Sequence, residues 1–325
     1  MIVYRRAKSA LRTVVRDWRQ RRLKQARAAL NQAEPEFAAL LEARGEWLFQ
    51  NLPPASAEYI YDLHPKDKQK ALAKRLGLSV AEEYVTNVPL EEALAFIGSS
   101  PLGGFVLKPN RGRSSAGVFC LVRSGSGYRE LKSGKVRSIQ RLKELAVESY
   151  GQLGRADEWL VEELLLAPHG PSQPANDYKF FCFHDRVELI LQKGEVVEGH
   201  KSRQAMRFYD RAGVPVNTGL RPKAVSDLLA LPDGIGAMVA EAERVSGMIP
   251  TPFMRVDLYD TQRGTVLGEF TPGAGGLYRL NEEWKRRMAR RWRETATALE
   301  NGLRSGAIEP LLPEERSSAR EMQPA

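Results

Sequence analysis

The chain has 325 residues, of which 42% are hydrophobic and 27% charged, and its formal net charge is +9. This length predicts one large domain or two fused modules with a sizeable hydrophobic core. No run approaches the roughly 20 apolar residues of a membrane-spanning helix, and no apolar block follows the N-terminus as in a signal peptide. We therefore expect a cytoplasmic protein. The two cysteines lie in apolar runs and the four histidines are scattered, a pattern that excludes disulfide frameworks and zinc sites.

The positive charge is concentrated at the N-terminus. Residues 1–30 contain ten Lys or Arg and one acid, so this segment carries the whole excess. Apolar residues including Leu11, Val14 and Trp18 recur at helical spacing over residues 5–31, which predicts a basic amphipathic helix. This helix could pack on its own domain or dock on an anionic membrane surface at the inner face of the membrane. Nucleic-acid binding has the least support, because aromatic residues are not interleaved with the basic ones.

The rest of the chain alternates helices with pairs of strands. Helices are predicted at about residues 34–50, 66–76, 90–97, 139–151, 236–246 and 281–302. Gly77 follows one of them at the position where a left-handed cap favours glycine. Strands are predicted at residues 83–86, 105–108, 118–122, 159–166, 177–183, 187–192, 254–259 and 265–270. Paired strands separated by single helices indicate an α+β fold rather than βαβ alternation.

A lysine followed by a glycine- and serine-rich loop is the first candidate for chemistry. Lys108 ends an apolar strand, and residues 109–117 form a loop with two arginines. Polyphosphate needs a fixed positive charge and backbone N–H groups that can approach closely, which glycine permits. The loop does not read as the phosphate-binding loop that opens a helix. The alternative is an ordinary basic hairpin loop.

Acidic residues within apolar strands supply the other candidates. Glu162 and Glu163 lie inside the strand predicted at 159–166, where the alternative is an edge strand with one solvated face. Arg255 and Asp257 are two residues apart and share a face of one strand, as do Glu269 and Thr271 on the next. If these strands form a hairpin, two carboxylates and a guanidinium converge, which suits a Mg²⁺–phosphate site.

The alternative for this hairpin is a cross-strand salt bridge on the surface, which stabilises little. The glycine-rich turn at residues 273–276 argues against that alternative, because it leaves room for a ligand.

In their order and spacing, these motifs resemble the ATP-grasp superfamily. Residues 177–183, 255–259 and 268–274 look like the hallmark runs of its teichuronopeptide-biosynthesis (TupA-like) members, and residues 66–68 and 108–117 are similar to D-alanine–D-alanine ligases. The resemblance covers roughly residues 58–305. It implies an α+β ATP-grasp fold, in which two α+β subdomains with antiparallel sheets grip ATP. The expected organisation is a basic helical extension at 1–52, this domain at 58–305 and a disordered tail at 306–325.

The resemblance also implies residue roles. Arg255 would hold the transferred phosphoryl group, with Lys108 as a second catalytic cation. Residues that would contact ATP are Lys68, Lys108, Arg111, Gly112, Ser114, Ser115, Gly117, Glu162, Glu163, Leu164, Asp177 and Lys179. Magnesium would be held by Asp257, Glu269 and Thr271, although many ATP-grasp ligases carry Asn at the last position. The substrate would lie near Arg203, Gly275 and Gly276.

The activity implied is ATP- and Mg²⁺-dependent ligation of a carboxylate to an amine through an acylphosphate. By resemblance, the partners would be an amino acid or peptide and a cell-surface polysaccharide or uronic acid. No side-chain nucleophile is required, in keeping with a sequence that shows no Ser/His/Asp or Cys/His arrangement. Two alternatives remain open. One is a kinase that phosphorylates a sugar or other hydroxyl, and the other is a non-catalytic ATP-grasp scaffold tethered by its basic arm.

Overall fold

The structure is a computed structural model. It describes residues 36–111, 116–150, 157–168, 170–198, 201–220, 225–275 and 280–313. The helix predicted over residues 5–31 lies outside this part of the chain, as does most of the tail predicted to be disordered. In the described part of that tail, the carbonyl of Leu312 accepts a hydrogen bond from Arg75 Nη1 at 2.7 Å.

Seven helices lie within the described residues. They are α1 (Phe37–Asn51), α2 (Pro54–Tyr61), α3 (Lys66–Arg75), α4 (Leu90–Ser99), α5 (Ile139–Tyr150), α6 (Ile235–Gly247) and α7 (Glu282–Ser305). Helix α2 was not predicted, because Pro53-Pro54 suggested a break in the chain. Pro54 is instead the first residue of the helix, where a missing N–H costs nothing. Gly77 has φ +73° after α3, which confirms the predicted left-handed cap.

The described strands form two large antiparallel sheets and one small one. The strands are β1 (Glu83–Val88), β2 (Gly104–Pro109), β3 (Phe119–Ser124), β4 (Gly127–Glu130), β5 (Val136–Arg137), β6 (Trp159–Glu163), β7 (Leu166–Ala167), β8 (Gly170–Pro174), β9 (Asn176–Phe183), β10 (Arg186–Glu198), β11 (Lys201–Tyr209), β12 (Met254–Thr261) and β13 (Gly264–Thr271). A six-stranded sheet has the order β1-β6-β2-β3-β4-β5, and a five-stranded sheet has the order β11-β10-β9-β12-β13. The predicted α+β class with antiparallel sheets is confirmed.

Each large sheet has its own hydrophobic core. In the six-stranded sheet, residues such as Phe105, Leu107 and Trp159 pack against α4 and α5. In the five-stranded sheet, β9 and β12 contribute residues such as Phe180 and Val256 to a larger core that also includes α1, α3, α6 and α7. No helix in the described part of the chain combines the length and the apolarity that crossing a bilayer requires.

Helix α1 packs directly into the core of the five-stranded sheet. The Phe37 ring lies 5.5 Å from the Phe253 ring and 6.0 Å from the Phe183 ring. Trp47 Nε1 donates a hydrogen bond of 2.9 Å to Glu300 in α7. Residues 37–51 of the predicted extension are therefore continuous with the domain.

Helix α3 connects the two large sheets. At its N-terminus, Asn110 Oδ1 at the end of β2 accepts from the backbone N–H groups of Lys66 at 2.9 Å and Asp67 at 3.3 Å. One turn later, Gln69 Oε1 accepts a hydrogen bond of 2.8 Å from the backbone N–H of Phe270 in β13. Because α3 is bound to both sheets, its side chains are held at the cleft between them.

Candidate active site

Asp257 is the centre of a buried cluster of charges on the five-stranded sheet. Arg255 donates from Nε to Asp257 Oδ1 at 2.6 Å and from Nη2 to Oδ2 at 2.7 Å. Lys179 Nζ donates to the same Oδ2 at 2.6 Å. Burial alone would raise the pKa of Asp257, but the charges of Lys179 and Arg255 lower it. Asp257 is therefore ionised at neutral pH despite being 2% exposed.

The β12–β13 register places the predicted residues on one face. Asp257 lies opposite Glu269, and Arg255 lies opposite Thr271. Arg255 Nη2 donates to Thr271 Oγ1 at 3.1 Å, so Thr271 orients the guanidinium. The register shifts between Asp257 and Leu258, which marks a β-bulge that includes Gly268. A Cβ at Gly268 would lie 2.8 Å from the Tyr259 ring, so glycine is needed there.

Two further carboxylates stand beside Asp257. Burial and the charge of Asp257 raise the pKa of Glu269. Burial also raises the pKa of Asp177. The charge of Lys179 lowers this pKa, and the negative charge of Asp257 raises it further. Asp177 Oδ2 accepts from Lys179 Nζ at 2.5 Å, whereas its Oδ1 is buried without a hydrogen-bond partner among the described residues. The three carboxylates thus lie close enough to repel one another, and Lys66 and Lys193 add to the opposing charge of Lys179 and Arg255.

A second buried cluster lies on the six-stranded sheet. The Glu162 carboxylate is held between the ammonium groups of Lys108 in β2 and Lys70 in α3. Lys70 also donates a hydrogen bond of 3.2 Å to the carbonyl of Ala81. Burial opposes ionisation of Glu162, but the charges of Lys108 and Lys70 lower its pKa. Burial and the charge of Lys108 lower the pKa of Lys70.

Tyr259 lies between the two clusters. Burial raises the pKa of its hydroxyl well above the ordinary value, and the negative charges of Asp177, Glu162 and Asp257 add to this effect. Glu162 belongs to one sheet, whereas Asp177 and Asp257 belong to the other. The two charged clusters therefore lie near each other where the two sheets meet, beside α3.

The remaining predicted site residues lie outside the two buried clusters or outside the described residues. Lys68 lies outside both clusters, where its side chain is 43% exposed and pairs with Asp62 at 2.5 Å. Arg111 is half-exposed at the cleft edge near Glu158. Glu163 pairs with Arg263 at 2.7 Å, Leu164 packs beside Gly104, and Gly117 has φ +72°. Outside the described residues lie Gly112, Ser114, Ser115, Gly276 and the side chain of Arg203.

Lys70 and Tyr259 were not singled out from the sequence. Lys66 and Lys70 are four residues apart on α3 and share a helix face. The charge of Lys66 opposes the rise in the pKa of Glu269. Lys68, two residues from each, lies on a different side of the helix. The only sequence signal for Lys70 was therefore its helical spacing from Lys66.

Gly275 shapes the position of Arg255. It has φ +60°, and a Cβ there would lie 2.7 Å from Arg255 Nη1. The neighbouring carbonyl of Ala274 accepts from the same Nη1 at 3.3 Å. The Arg255 guanidinium can therefore occupy this position only because residue 275 has no side chain.

We expect Gly275→Ala to displace the Arg255 guanidinium and to lower turnover about tenfold or more, since small misplacements of a positioning group carry large costs in rate. Gly273→Ala is the matched control, because a Cβ at Gly273 meets nothing within 4 Å. The measurement is nucleotide turnover by both variants. Equal rates for Gly275→Ala and the wild type would show that the turn does not govern Arg255.

The donor set of this cleft suits magnesium. Mg²⁺ is usually held by one or two carboxylates together with substrate phosphates and water. Asp257 and Glu269 provide such a pair, and Asp177 adds a buried oxygen without a hydrogen-bond partner among the described residues. No group of three or more His, Cys, Asp or Glu side chains in the described residues is arranged as a metal cage. The residues therefore fit an ion that shares its coordination with phosphate.

Solved structures of similar fold are ATP-grasp ligases. PsnB, solved with a minimal precursor, Mg and ADP, is 13% identical over 80% of this chain and 67% of that chain, with a TM-score of 0.44. The D-alanine–D-alanine ligase from Helicobacter pylori is 15% identical over 72% of this chain and 58% of that chain, with a TM-score of 0.42. The D-alanine–D-alanine ligase from Bacillus anthracis is 11% identical over 82% of this chain and 77% of that chain, with a TM-score of 0.45.

No curated protein sequence matches the chain. The family model for TupA-like ATP-grasp proteins matches residues 69–290, which is more than half of the chain and includes both charged clusters. The chain belongs to the TupA-like ATP-grasp family.

Proposed function

We propose that the protein is an ATP- and Mg²⁺-dependent ligase that activates a carboxylate as an acylphosphate and joins it to an amine. The observation that carries the proposal is the pair of buried charged clusters on either side of Tyr259, where α3 joins the two sheets. One holds Lys70 and Lys108 around Glu162, and the other holds Arg255 and Lys179 around Asp257. Four buried cations in one part of the molecule suit the polyphosphate of ATP, because phosphoryl transfer depends mainly on positioning and charge neutralisation.

In this proposal, ATP takes the place of the internal carboxylate at the six-stranded sheet. Lys70 and Lys108 now neutralise Glu162, and on binding they turn to the α- and β-phosphates. Glu162 is then released to accept a hydrogen bond from the adenine amino group, with the backbone of Glu163 and Leu164 alongside. The loop from Arg111 to Gly117 covers the phosphates. Lys68 lies outside the cluster, so we assign to Lys70 the contact with ATP that the resemblance implied for Lys68.

Magnesium would be held by Asp257 and Glu269, and when bound it neutralises phosphate oxygens. Arg255 holds the transferred phosphoryl group through the one Nη1 N–H that is not donated to Asp257, Thr271 or Ala274, and Thr271 fixes the plane of the guanidinium. Lys179 stands beside the metal carboxylates as a further counter-charge. Asp177 lies at the ribose side of Lys179.

The reaction has two steps. First, a carboxylate oxygen of the substrate bonds to the γ-phosphorus of ATP, the bond to the bridging oxygen breaks, and ADP leaves. Second, the amine nitrogen bonds to the acyl carbon, the bond to the phosphate oxygen breaks, phosphate leaves, and the amine loses a proton. The tetrahedral centre of the second step would lie near Arg255 and the turn at Gly275 and Gly276.

For the substrates, we propose an amino acid or peptide and an anionic cell-surface polymer such as a uronic acid. Arg203, on β11 of the same sheet, would contact the acceptor. PsnB, an ATP-grasp ligase, was solved in complex with a precursor peptide. A cytoplasmic location would give access to ATP, and the ten basic residues of segment 1–30 could hold the enzyme at the inner face of the membrane.

The test is ADP release from Mg-ATP across pools of amino acids with and without uronic-acid acceptors. Release that requires both a carboxylate and an amine supports the ligase. Release with a hydroxyl acceptor alone would replace the ligase with a kinase. No release in any pool, with no ATP affinity in the presence of Mg²⁺, would identify a scaffold.

A further inference from the structure

A buried glutamate holds three arginines on the surface of the five-stranded sheet. Glu188 lies at a β-bulge in β10, and its side chain is 1% exposed. It accepts from Arg186 Nε at 3.0 Å and from Arg287 Nη2 at 2.9 Å, and it pairs with Arg291 Nε at 2.6 Å. Arg291 also pairs with Glu294 at 2.8 Å, so the three guanidinium groups meet two carboxylates and keep a net charge of +1.

Helix α7 extends this positive charge along its surface. Six of the nine residues from 285 to 293 are Lys or Arg, and none is acidic. Arg286 and Arg290 form the i,i+4 row next to Arg287 and Arg291, both are exposed, and no described carboxylate lies within 4 Å of either. We refer to Arg186, Arg286, Arg287, Arg290 and Arg291 as the arginine face.

The arginine face adjoins the point where the basic N-terminal segment joins the fold. Helix α1 begins at Phe37, whose ring contacts Phe183. Phe183 pairs across the strands with Arg186, which belongs to the arginine face. Helix α1, the first described helix after the ten basic residues of segment 1–30, therefore begins near this face.

We propose that the arginine face is a docking surface for a bilayer rich in anionic phospholipid. One guanidinium group can donate two parallel hydrogen bonds to two oxygens of the same phosphate. A bilayer presents many phosphates in one plane. The contact to Glu188 fixes three of the arginines beforehand, which lowers the entropy lost on binding. Residues 1–30 combine basic residues with Leu11 and Trp18 at helical spacing, as interfacial helices do. Two weak attachments at one place produce stable membrane binding.

The test is binding of the full chain to phosphatidylcholine vesicles with and without phosphatidylserine. Arg286→Gln/Arg290→Gln is the variant of choice, because it spares the arginines that hold buried Glu188. Each basic residue near an anionic membrane strengthens binding about fivefold, so we expect about a 25-fold loss. The control is Lys132→Gln/Lys135→Gln, which removes two exposed charges from the six-stranded sheet and should leave vesicle affinity unchanged. Wild-type binding should also weaken as salt rises.

Three results would overturn the proposal. The double arginine variant could bind vesicles as tightly as the wild type. The wild type could bind vesicles equally with and without phosphatidylserine. Finally, the wild type could fail to bind either kind of vesicle and instead bind a soluble polyuronate through the same arginines. The arginine face would then be a polymer-binding site. Mg-ATP affinity of each variant is measured in parallel without vesicles, so that failure of the nucleotide site is distinguished from failure of the membrane surface.

Discussion

Replacing Asp257 by Asn is expected to reduce ADP release by roughly 10²–10³-fold, the usual cost of losing one preorganised electrostatic group in an active site. The substitution keeps the shape of the side chain but removes the charge that Lys179 and Arg255 both contact. It also removes one of the two carboxylates proposed to hold magnesium. ADP release at saturating Mg-ATP and acceptor is the measurement, with the melting temperature recorded to show that the variant is folded.

Asp260→Asn is the matched control for this substitution. Asp260 lies three residues further along β12, on the opposite face of the strand from Asp257, and should retain most of the wild-type rate. If Asp257→Asn turns over at the wild-type rate while remaining folded, the β12–β13 face is not the site of phosphoryl transfer.

Replacing Glu162 by Gln is expected to lower the free energy of unfolding by about 3 kcal/mol at pH 7. The variant leaves Lys70 and Lys108 buried without their shared counter-charge, and an uncompensated buried charge is strongly destabilising. Glu163→Gln is the matched control at the next position. Glu163 pairs with half-exposed Arg263, and such a pair contributes less than about 1 kcal/mol. Denaturant unfolding of the two variants beside the wild type gives the comparison.

The effect of Glu162 should depend on pH in a defined direction. Its folded-state pKa is lowered from the ordinary value of 4.5 by Lys108 and Lys70. Its charge therefore stabilises the fold above pH 4.5, and that stabilisation is lost as the pH falls through the lower folded-state pKa. The difference in free energy of unfolding between the wild type and Glu162→Gln should be constant near neutral pH and should decrease only at acidic pH. A difference that grew on acidification would contradict the ion-pair interpretation.

The β12–β13 face could be predicted because it depends on local geometry alone. Strand residues two apart share a face, and a short turn brings the second strand beside the first. Those two facts predict that Arg255, Asp257, Glu269 and Thr271 lie together, and in the structure Asp257 lies opposite Glu269 and Arg255 opposite Thr271. The β-bulge at Gly268 was not predicted, although it changes the side-chain alternation within the same hairpin.

Contacts between distant segments could not be predicted in the same way. Lys179 reaches Asp257 only because β9 lies next to β12 in the sheet, and 78 residues separate the two side chains. On α3, Lys66, Lys68 and Lys70 are alike in sequence, and only packing against both sheets decides which of them faces the cleft. The family resemblance supplied the fold and the order of the motifs, but it did not indicate that Lys70 would pair with buried Glu162 while Lys68 pairs with exposed Asp62.

The most direct test of an acylphosphate mechanism follows the carboxylate oxygens. Once the pools identify a carboxylate substrate, it is labelled with ¹⁸O and turned over with Mg-ATP and the amine. Attack of the carboxylate on the γ-phosphorus transfers one of its oxygens to the phosphate that later leaves, so we predict one ¹⁸O atom per inorganic phosphate. Phosphate without label, formed at the same rate as product, would contradict carboxylate activation and with it the ligase assignment.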